Sequence, residues 1–299
     1  MTGMRSIGAS CTRRQFLVVT GIGIHSAAHA MPLYEGITAA QVIERIQKNV
    51  GVPWRKETVD TFKIGNPDTV VRGIGTSFSA TLDVCQRAHA SGKNLLIVHE
   101  PTFYNHNDET TNFNGGVYEI KRSFIEKNGL VVWRFHDHWH ARRPDGILSG
   151  IAQALNWGKY ASQEQPRRFT LPRTTLEALA QEMQKRLDAR AMRVIGDPKM
   201  MVSRVSMSPG FNNLPGIISA LESPAVDAVV IGETREWEGI EYARDCVTAG
   251  KKTALIVVGH VPSEEHGMEE CAAWLKTFVS EVPIAYMPSG DPFWHPKSS

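Results

Sequence analysis

Residues 94–101 read Asn94-Leu95-Leu96-Ile97-Val98-His99-Glu100-Pro101. Four consecutive large apolar residues bounded by Asn and Pro are too short for a helix. They describe a strand buried on both faces, as in parallel sheets covered by helices. The run stops abruptly on an imidazole and a carboxylate. Three other apolar runs stop in the same way. Val131–Phe135 leads into His136-Asp137-His138-Trp139-His140, Val229–Ile231 into Gly232-Glu233, and Leu255–Val258 into Gly259-His260 followed by Ser263-Glu264-Glu265. Between the runs, helical periodicity or helix-stop residues mark 39–49, 81–91, 118–128, 147–156, 175–189, a segment ending at Leu221, 237–249 and 265–279. Strands alternating with helices at this spacing predict an α/β fold with mixed, mostly parallel sheets flanked by helices. The polar stretch 163–172, with two prolines, reads as the linker between two lobes, 31–162 and 173–299. The two halves share a strand–helix cadence, which is compatible with a distant duplication.

Composition narrows the functional classes. With 42% hydrophobic residues and a formal charge of +2, the chain is neither disordered nor a general nucleic-acid binder. It has no apolar run of eighteen residues, so no membrane span is expected. Its first thirty residues read as a leader. Thr12-Arg13-Arg14-Gln15-Phe16-Leu17 has the twin-arginine pattern, Phe16–Ile24 is a mildly apolar run, and Ala28-His29-Ala30 is a small-x-small cleavage pattern. The expected mature chain starts at Met31 and is exported to the periplasm or secreted. Losing Arg5, Arg13 and Arg14 leaves 30 basic against 31 acidic residues. Cys85, Cys246 and Cys271 remain, an odd number that argues against a disulfide framework.

In open α/β sheets, ligands bind outside the carboxyl ends of the strands. Imidazoles and carboxylates gathered there, without thiolates, are the donors a divalent metal takes. A lone histidine in such a place is more often a hydrogen-bonded structural residue, but four runs ending alike point to a ligand set. His99 and Glu100, adjacent in extended chain, aim in different directions and could each serve one of two ions. His136 and Glu233 are candidates for outer ligands, for residues that hold the ligands, or for contacts to the substrate. Asp137 and Glu233 are the candidates for proton transfer, with Asp137 and His138 favoured as supports. Arg134, Arg142 and Arg143 lie near enough in sequence to hold an anionic substrate. Trp139 and Trp237 are placed to wall a pocket for a heterocycle, while His106, His266 and His295 read as exposed.

These motifs resemble a known family. Ile97-Val98-His99-Glu100-Pro101 is similar to a strand ending in His-His-Pro. Asp227-Ala228-Val229-Val230-Ile231-Gly232-Glu233 resembles an Asp-Ala-x-x-Thr-Gly-Glu segment. Gly259-His260-Val261-Pro262-Ser263-Glu264 resembles Gly-His-x-x-x-Glu, and 136–155 a His-x-x-x-Asp segment followed by Gly and a helix. The family is that of the NIF-three-like proteins, also described as type 2 GTP cyclohydrolase I. The resemblance implies a two-lobed α/β protein with a dinuclear metal centre between the lobes, assembled as a homohexameric toroid. It implies two divalent ions per chain, Zn, Mn or Fe. His99 and His260 would bind the second ion, Glu100 and His140 the first, and Glu264 would bridge them. Glu100 stands where the family has His, and His140 where it has Asp, so the count of three imidazoles and two carboxylates is kept. The implied activity is hydrolysis of a small heterocyclic or anionic substrate through a metal-bridging hydroxide. The competing reading is a non-catalytic metal-binding or assembly protein of the same fold.

Overall fold

The computed structural model describes residues 36–294. The expected leader Met1–Ala30, the new terminus at Met31 and His295 lie outside the described residues. In chain order the elements are α1 (Ala39–Asn49), β1 (Phe62–Ile64), β2 (Ile74–Ser77), α2 (Leu82–Ala90), β3 (Leu95–Val98), α3 (Gly116–Lys127), β4 (Val131–Arg134), α4 (Asp137–Ala141) and α5 (Gly146–Ala154). Then follow β5 (Arg168–Thr175), α6 (Leu176–Arg186), β6 (Arg193–Ile195), β7 (Met201–Phe211), α7 (Leu214–Leu221), β8 (Ala228–Glu233), α8 (Glu241–Thr248), β9 (Ala254–Val257), α9 (His260–Leu275) and β10 (Ile284–Tyr286).

The strands form two five-stranded mixed sheets, in the orders β1-β4-β3-β2-β10 and β5-β7-β8-β9-β6. In the first, β4, β3, β2 and β10 run parallel, and β1 is antiparallel to β4. In the second, β7, β8 and β9 run parallel between antiparallel edges. Strand periodicity sorts the side chains. Leu95 and Ile97 of β3 face a core built with Ile46, Trp133 and Met268, while Leu96 and Val98 face one built with Val84, Ile125 and Val132. Val229 and Val230 of β8 divide between the two cores of the second sheet in the same way. Helices cover both faces, which is why the strands read as unbroken apolar runs.

Three boundaries differ from the sequence reading. The stretch read as linker becomes strand from Arg168 onward. Pro172 is tolerated because β5 is an edge strand whose register shifts between Thr170 and Thr174. Residues 284–286, within the stretch assigned to the second lobe, form β10, which pairs with β2 of the first sheet and not with a strand of the second. Helix α9 starts five residues earlier than expected, at His260. Gly259, at φ +101°, turns the chain out of β9. Pro262 sits in the first helical turn, where a missing N–H is harmless. Cys85, Cys246 and Cys271 are buried free thiols. Among the described residues no helix is long and apolar enough to cross a membrane.

Helices α5 and α9 pack tightly on each other, and α9 also touches β2 and β10 of one sheet and β7 and β8 of the other. Gly150 and Gly267 let the two backbones meet. A methyl group at Gly150 would collide with the His266 carbonyl oxygen and the Gly267 backbone. Gly150→Ala should therefore lower unfolding stability by about 1–3 kcal/mol or more in urea titration. Gly158→Ala, with open space around its Cβ, should stay within about 0.5 kcal/mol of the unmodified protein. Equal stability of the two variants would contradict this account of the α5–α9 contact.

Candidate metal centre

Parallel pairing puts the carboxyl ends of β3 and β4 at one edge of the first sheet, and those of β8 and β9 at one edge of the second. His99 and Glu100 follow β3. His136 follows β4 and His140 lies on α4, one turn on. His260 and Glu264 are one turn apart at the start of α9. The sequence reading placed His260 and Glu264 before their helix. Placed on it, they present adjacent side chains on one face, with His260 Nε2 3.1 Å from Glu264 Oε2.

His99 is completely buried. Its Nδ1 is 3.1 Å from the Phe135 carbonyl oxygen, which can only accept, so Nδ1 carries the proton and donates. Burial, and then the neighbouring His136 and His140, hold its pKa well below the usual imidazole range. The ring is neutral, and Nε2 presents a lone pair. That atom is buried and has no hydrogen-bond partner among the described residues. Across from it, at 3.5 Å, lies Glu264 Oε2. His260 Nε2 reaches that carboxylate oxygen at 3.1 Å, but nothing donates to His99 Nε2, and a buried lone pair left facing a carboxylate is an arrangement that a cation resolves and that is otherwise costly.

The other imidazoles are held in the same sense. His136 Nδ1 is 3.0 Å from Asp137 Oδ1, His140 Nδ1 is 3.1 Å from Asp145 Oδ2, and His260 Nδ1 is 3.1 Å from Glu233 Oε1. An imidazole that donates from Nδ1 to a carboxylate or carbonyl is oriented to ligate through Nε2. The His136 and His140 rings lie with centroids 4.6 and 4.9 Å from that of His99. Glu100 completes the set. Its Oε1 lies 3.4 Å from His260 Nε2 and 3.8 Å from His136 Nε2, and its Oε2 pairs with Arg134 at 3.0 Å. Burial pushes the Glu100 pKa up, but the hydrogen bond from His260 and the charges of His136, His260 and Arg134 outweigh it, leaving it lowered. Burial likewise opposes charge on His260, yet Glu100, Glu233 and Glu264 together push its pKa up to about 12. Gly210, at φ +72°, leaves the space that Glu264 occupies; a Cβ there would strike its carboxylate.

The five residues that the resemblance names as ligands, and His136, the outer candidate, lie side by side, His260 joining through Glu100 and Glu264. Donor atoms of His99, His136 and His140 lie mutually within 4.8 Å, as do those of His99, Glu100 and Glu264. The resemblance assigns Glu100 and His140 to the same ion, whereas these distances put them in different groups. The donor set fits divalent metal: nitrogen and carboxylate oxygen, neutral imidazole at the centre, and an orphaned buried Nε2.

Asp137 and Glu233, read as proton-transfer candidates, each hold an imidazole. Asp137 is itself fixed by Thr58 Oγ1 and the Val59 N–H. The hydrogen bond from His136 is the largest influence lowering its pKa. His138 is buried, stacked on Trp54 and bonded to Asp60, and has no place in the cluster. Trp139 is completely buried and Trp237 is exposed, so neither walls a pocket at the cluster. Arg134 is buried against Glu100, and Arg142 lies over the rings of Trp139 and Trp274. Two carboxylates escaped the sequence reading. Asp60 accepts the N–H groups of His136, Asp137 and His138 and so fixes the α4 turn. It lies in a stretch without periodicity and gives no signal. Asp145 caps α5 through the N–H groups of Ile147 and Leu148 while holding His140. Its place in Pro144-Asp145-Gly146, before an apolar helix, is a legible cap signal.

Asp145→Asn separates these two roles. The amide oxygen still caps α5, but the amide nitrogen is left to face His140 Nδ1. That favours the tautomer with hydrogen on Nε2, the wrong one for ligation. Metal affinity measured by competition with a chromophoric chelator should fall about 10–100-fold, with little change in unfolding midpoint. Unchanged affinity would contradict the role given to the Asp145–His140 bond.

The fold is shared with solved structures. The Staphylococcus aureus hypothetical protein SA1388 matches with a TM-score of 0.71 at 16% identity, over 87% of this chain and 99% of that one. A protein of unknown function, ybgI, matches at 0.69 and 19% identity, over 86% and 100%. A Bacillus cereus protein related to NIF3 matches at 0.68 and 14%, over 87% and 99%. No curated protein sequence matches the chain. The family profile Duf34/NIF3 (NGG1p interacting factor 3) matches residues 38–292. The chain therefore belongs to the Duf34/NIF3 family, as its strand-end motifs led one to expect.

Proposed function

We propose that the protein is a metal-dependent hydrolase of the periplasm or the extracellular space, acting on a small substrate at a centre of two divalent ions. The observation that carries this reading is the His99–Glu264 pair, a neutral buried imidazole whose lone pair faces a carboxylate oxygen with no donor between them. His99, Glu100, His136, His140, His260 and Glu264 would hold the ions, with mixed nitrogen and oxygen ligation suited to Zn, Mn or Fe. Such ions supply Lewis acidity and make water a nucleophile near neutral pH.

The chain's own residues set the conditions for that chemistry. Phe135 O, Asp137, Asp145 and Glu233 fix the four rings so that every Nε2 is turned into the cluster. Arg134, completely buried, neutralises part of the carboxylate charge through Glu100 and ties the cluster to the loop at His106. Burial of His99 and Glu264 excludes bulk water from the centre of the set. Two clefts, at His140 and at Glu100 with His260, give a substrate access to its sides. A hexameric assembly belongs to this reading on family resemblance.

The metal-reconstituted protein should hold two ions per chain by elemental analysis and turn over at least one member of a broad panel of phosphoesters, amides and cyclic amidines. Glu264→Gln should lose that turnover by a factor of about 100 or more, as expected for loss of a direct ligand, while keeping its circular dichroism spectrum. A fully loaded protein that turns over nothing would favour the metal-storage or delivery reading. Export is checked separately. Arg13→Lys with Arg14→Lys should retain the full-length chain in the cytoplasm. A wild-type chain that stays there, uncleaved, would contradict the assignment of Met1–Ala30.

A further inference from the structure

A cleft of about 770 Å³ meets the cluster at His140. Three guanidinium groups, Arg143, Arg167 and Arg168, line it; Arg143 already gives its Nη1 to the carbonyl oxygens of His140, Ala141 and Arg142, which leaves Arg167 and Arg168 as the groups available to a ligand. Its lining carboxylate, Asp145, is already committed, one oxygen to His140 and the other to the cap of α5. The cleft is therefore a positively charged cavity beside a set of metal ligands. Arg167 is fixed at one corner by Ser208 Oγ, 2.7 Å from its Nη1, which uses one of five donors. Arg168 is more telling. Its Nη1 is buried and meets no acceptor among the described residues, while Nη2 is 3.5 Å from Ser223 Oγ. A buried charged donor without an acceptor points to an acceptor supplied from outside the chain. Arginine is the residue suited to planar, two-pronged contact with phosphate or carboxylate oxygens. On the same wall the Phe211 ring is about half exposed, an apolar surface beside the charged one.

The second cleft, of about 430 Å³ at Glu100 and His260, differs in kind. Phe78, Tyr104 and Val117 contribute apolar lining, Lys121 is spent on the Thr102 carbonyl, and His260 is held among the carboxylates of Glu100, Glu233 and Glu264. The asymmetry says on which side of the cluster a negative charge is welcome.

We infer that the Arg143–Arg167–Arg168 cleft is the recognition site for a phosphate-bearing substrate. Arg167 and Arg168 hold the anionic group, and the body of the molecule lies along Phe211 toward His140. This rests on the metal-dependent hydrolase proposed above and adds the substrate class to it. Arg167 and Arg168 belong to the stretch read from sequence as a linker, so the segment that joins the two sheets also selects what reaches the cluster.

The test is calorimetric titration of the full-length protein, stripped of metal, with inorganic pyrophosphate at low salt. Metal-free protein is used so that pyrophosphate cannot bind through an ion. The wild-type protein should bind, and added salt should weaken the binding. The double variant Arg167→Gln/Arg168→Gln should bind about tenfold more weakly or worse, as expected for losing charge-assisted contacts. Arg186→Gln, on the exposed face of α6, should match the wild type. If the double variant does not fold, Arg167→Gln alone, at an exposed position, should still weaken binding about threefold or more. Zinc titration of each variant should match the wild type, which separates the cleft from the metal site. No pyrophosphate binding by the wild type, or equal affinity in the arginine variants, would overturn the inference. Failure of the wild type to bind zinc would instead count against the hydrolase reading and leave the pyrophosphate result readable.

Discussion

The pairing of His99 Nε2 with Glu264 Oε2 is the constraint around which the site is built. One atom comes from the end of β3 in the first sheet, and the other from the helix that follows β9 in the second. Both side chains are buried, and neither atom can donate to the other while His99 gives its proton to Phe135 O. Folding alone would not favour that arrangement, because it buries the His99 lone pair against a carboxylate without a donor. The architecture holds them there. The close contact of α5 with α9 fixes α9 against both sheets, and the fixed rings of His136, His140 and His260 close the cluster around the pair. A site assembled against its own electrostatics is expected where function, not stability, selects the residues.

Much of the fold was legible because the strands are buried on both faces. Leu95–Val98, Val131–Arg134 and Ala254–Val257 are continuous apolar runs of the length a parallel strand needs. The imidazoles and carboxylates stood out because such runs end at them. What the sequence concealed was geometry that depends on partners distant in the chain. Pro172 looked like a linker residue because edge pairing with β7 has no local signature. The helix at 265–279 begins earlier than its periodicity suggests, at His260, because Gly259 caps it at positive φ and Pro262 is acceptable in its first turn. The strand at 284–286 gave no hint of which sheet it would join.

The site divides along the same line. Residue type and position at strand ends drew attention to His99, Glu100, His136, His140, His260 and Glu264. They could not say that Asp137 and Glu233 serve the histidines, nor that Asp60, some 76 residues before His136, holds the α4 turn in place. Arg134 shows the limit most clearly. In sequence it is one more basic residue near a histidine cluster. In the fold it is completely buried, donates to the carbonyl oxygens of His99 and His106 and pairs with Glu100. Glu100 stands where the resemblance leads one to expect a histidine, and the buried guanidinium beside it supplies a countercharge for its carboxylate. Removing one partner of such a pair leaves an uncompensated buried charge, which ties the exchange at Glu100 to Arg134 as firmly as to His140.

The buried cluster, on the proposed reading, is a metal centre ligated through imidazole Nε2 atoms. Anomalous diffraction from crystals of the reconstituted protein, collected on either side of the absorption edge of the added metal, tests it most directly. Two peaks inside the cluster are expected, with His99 Nε2 and a Glu264 oxygen among the atoms nearest to them. A single peak elsewhere, or none in fully occupied crystals with the cluster unchanged, would contradict it.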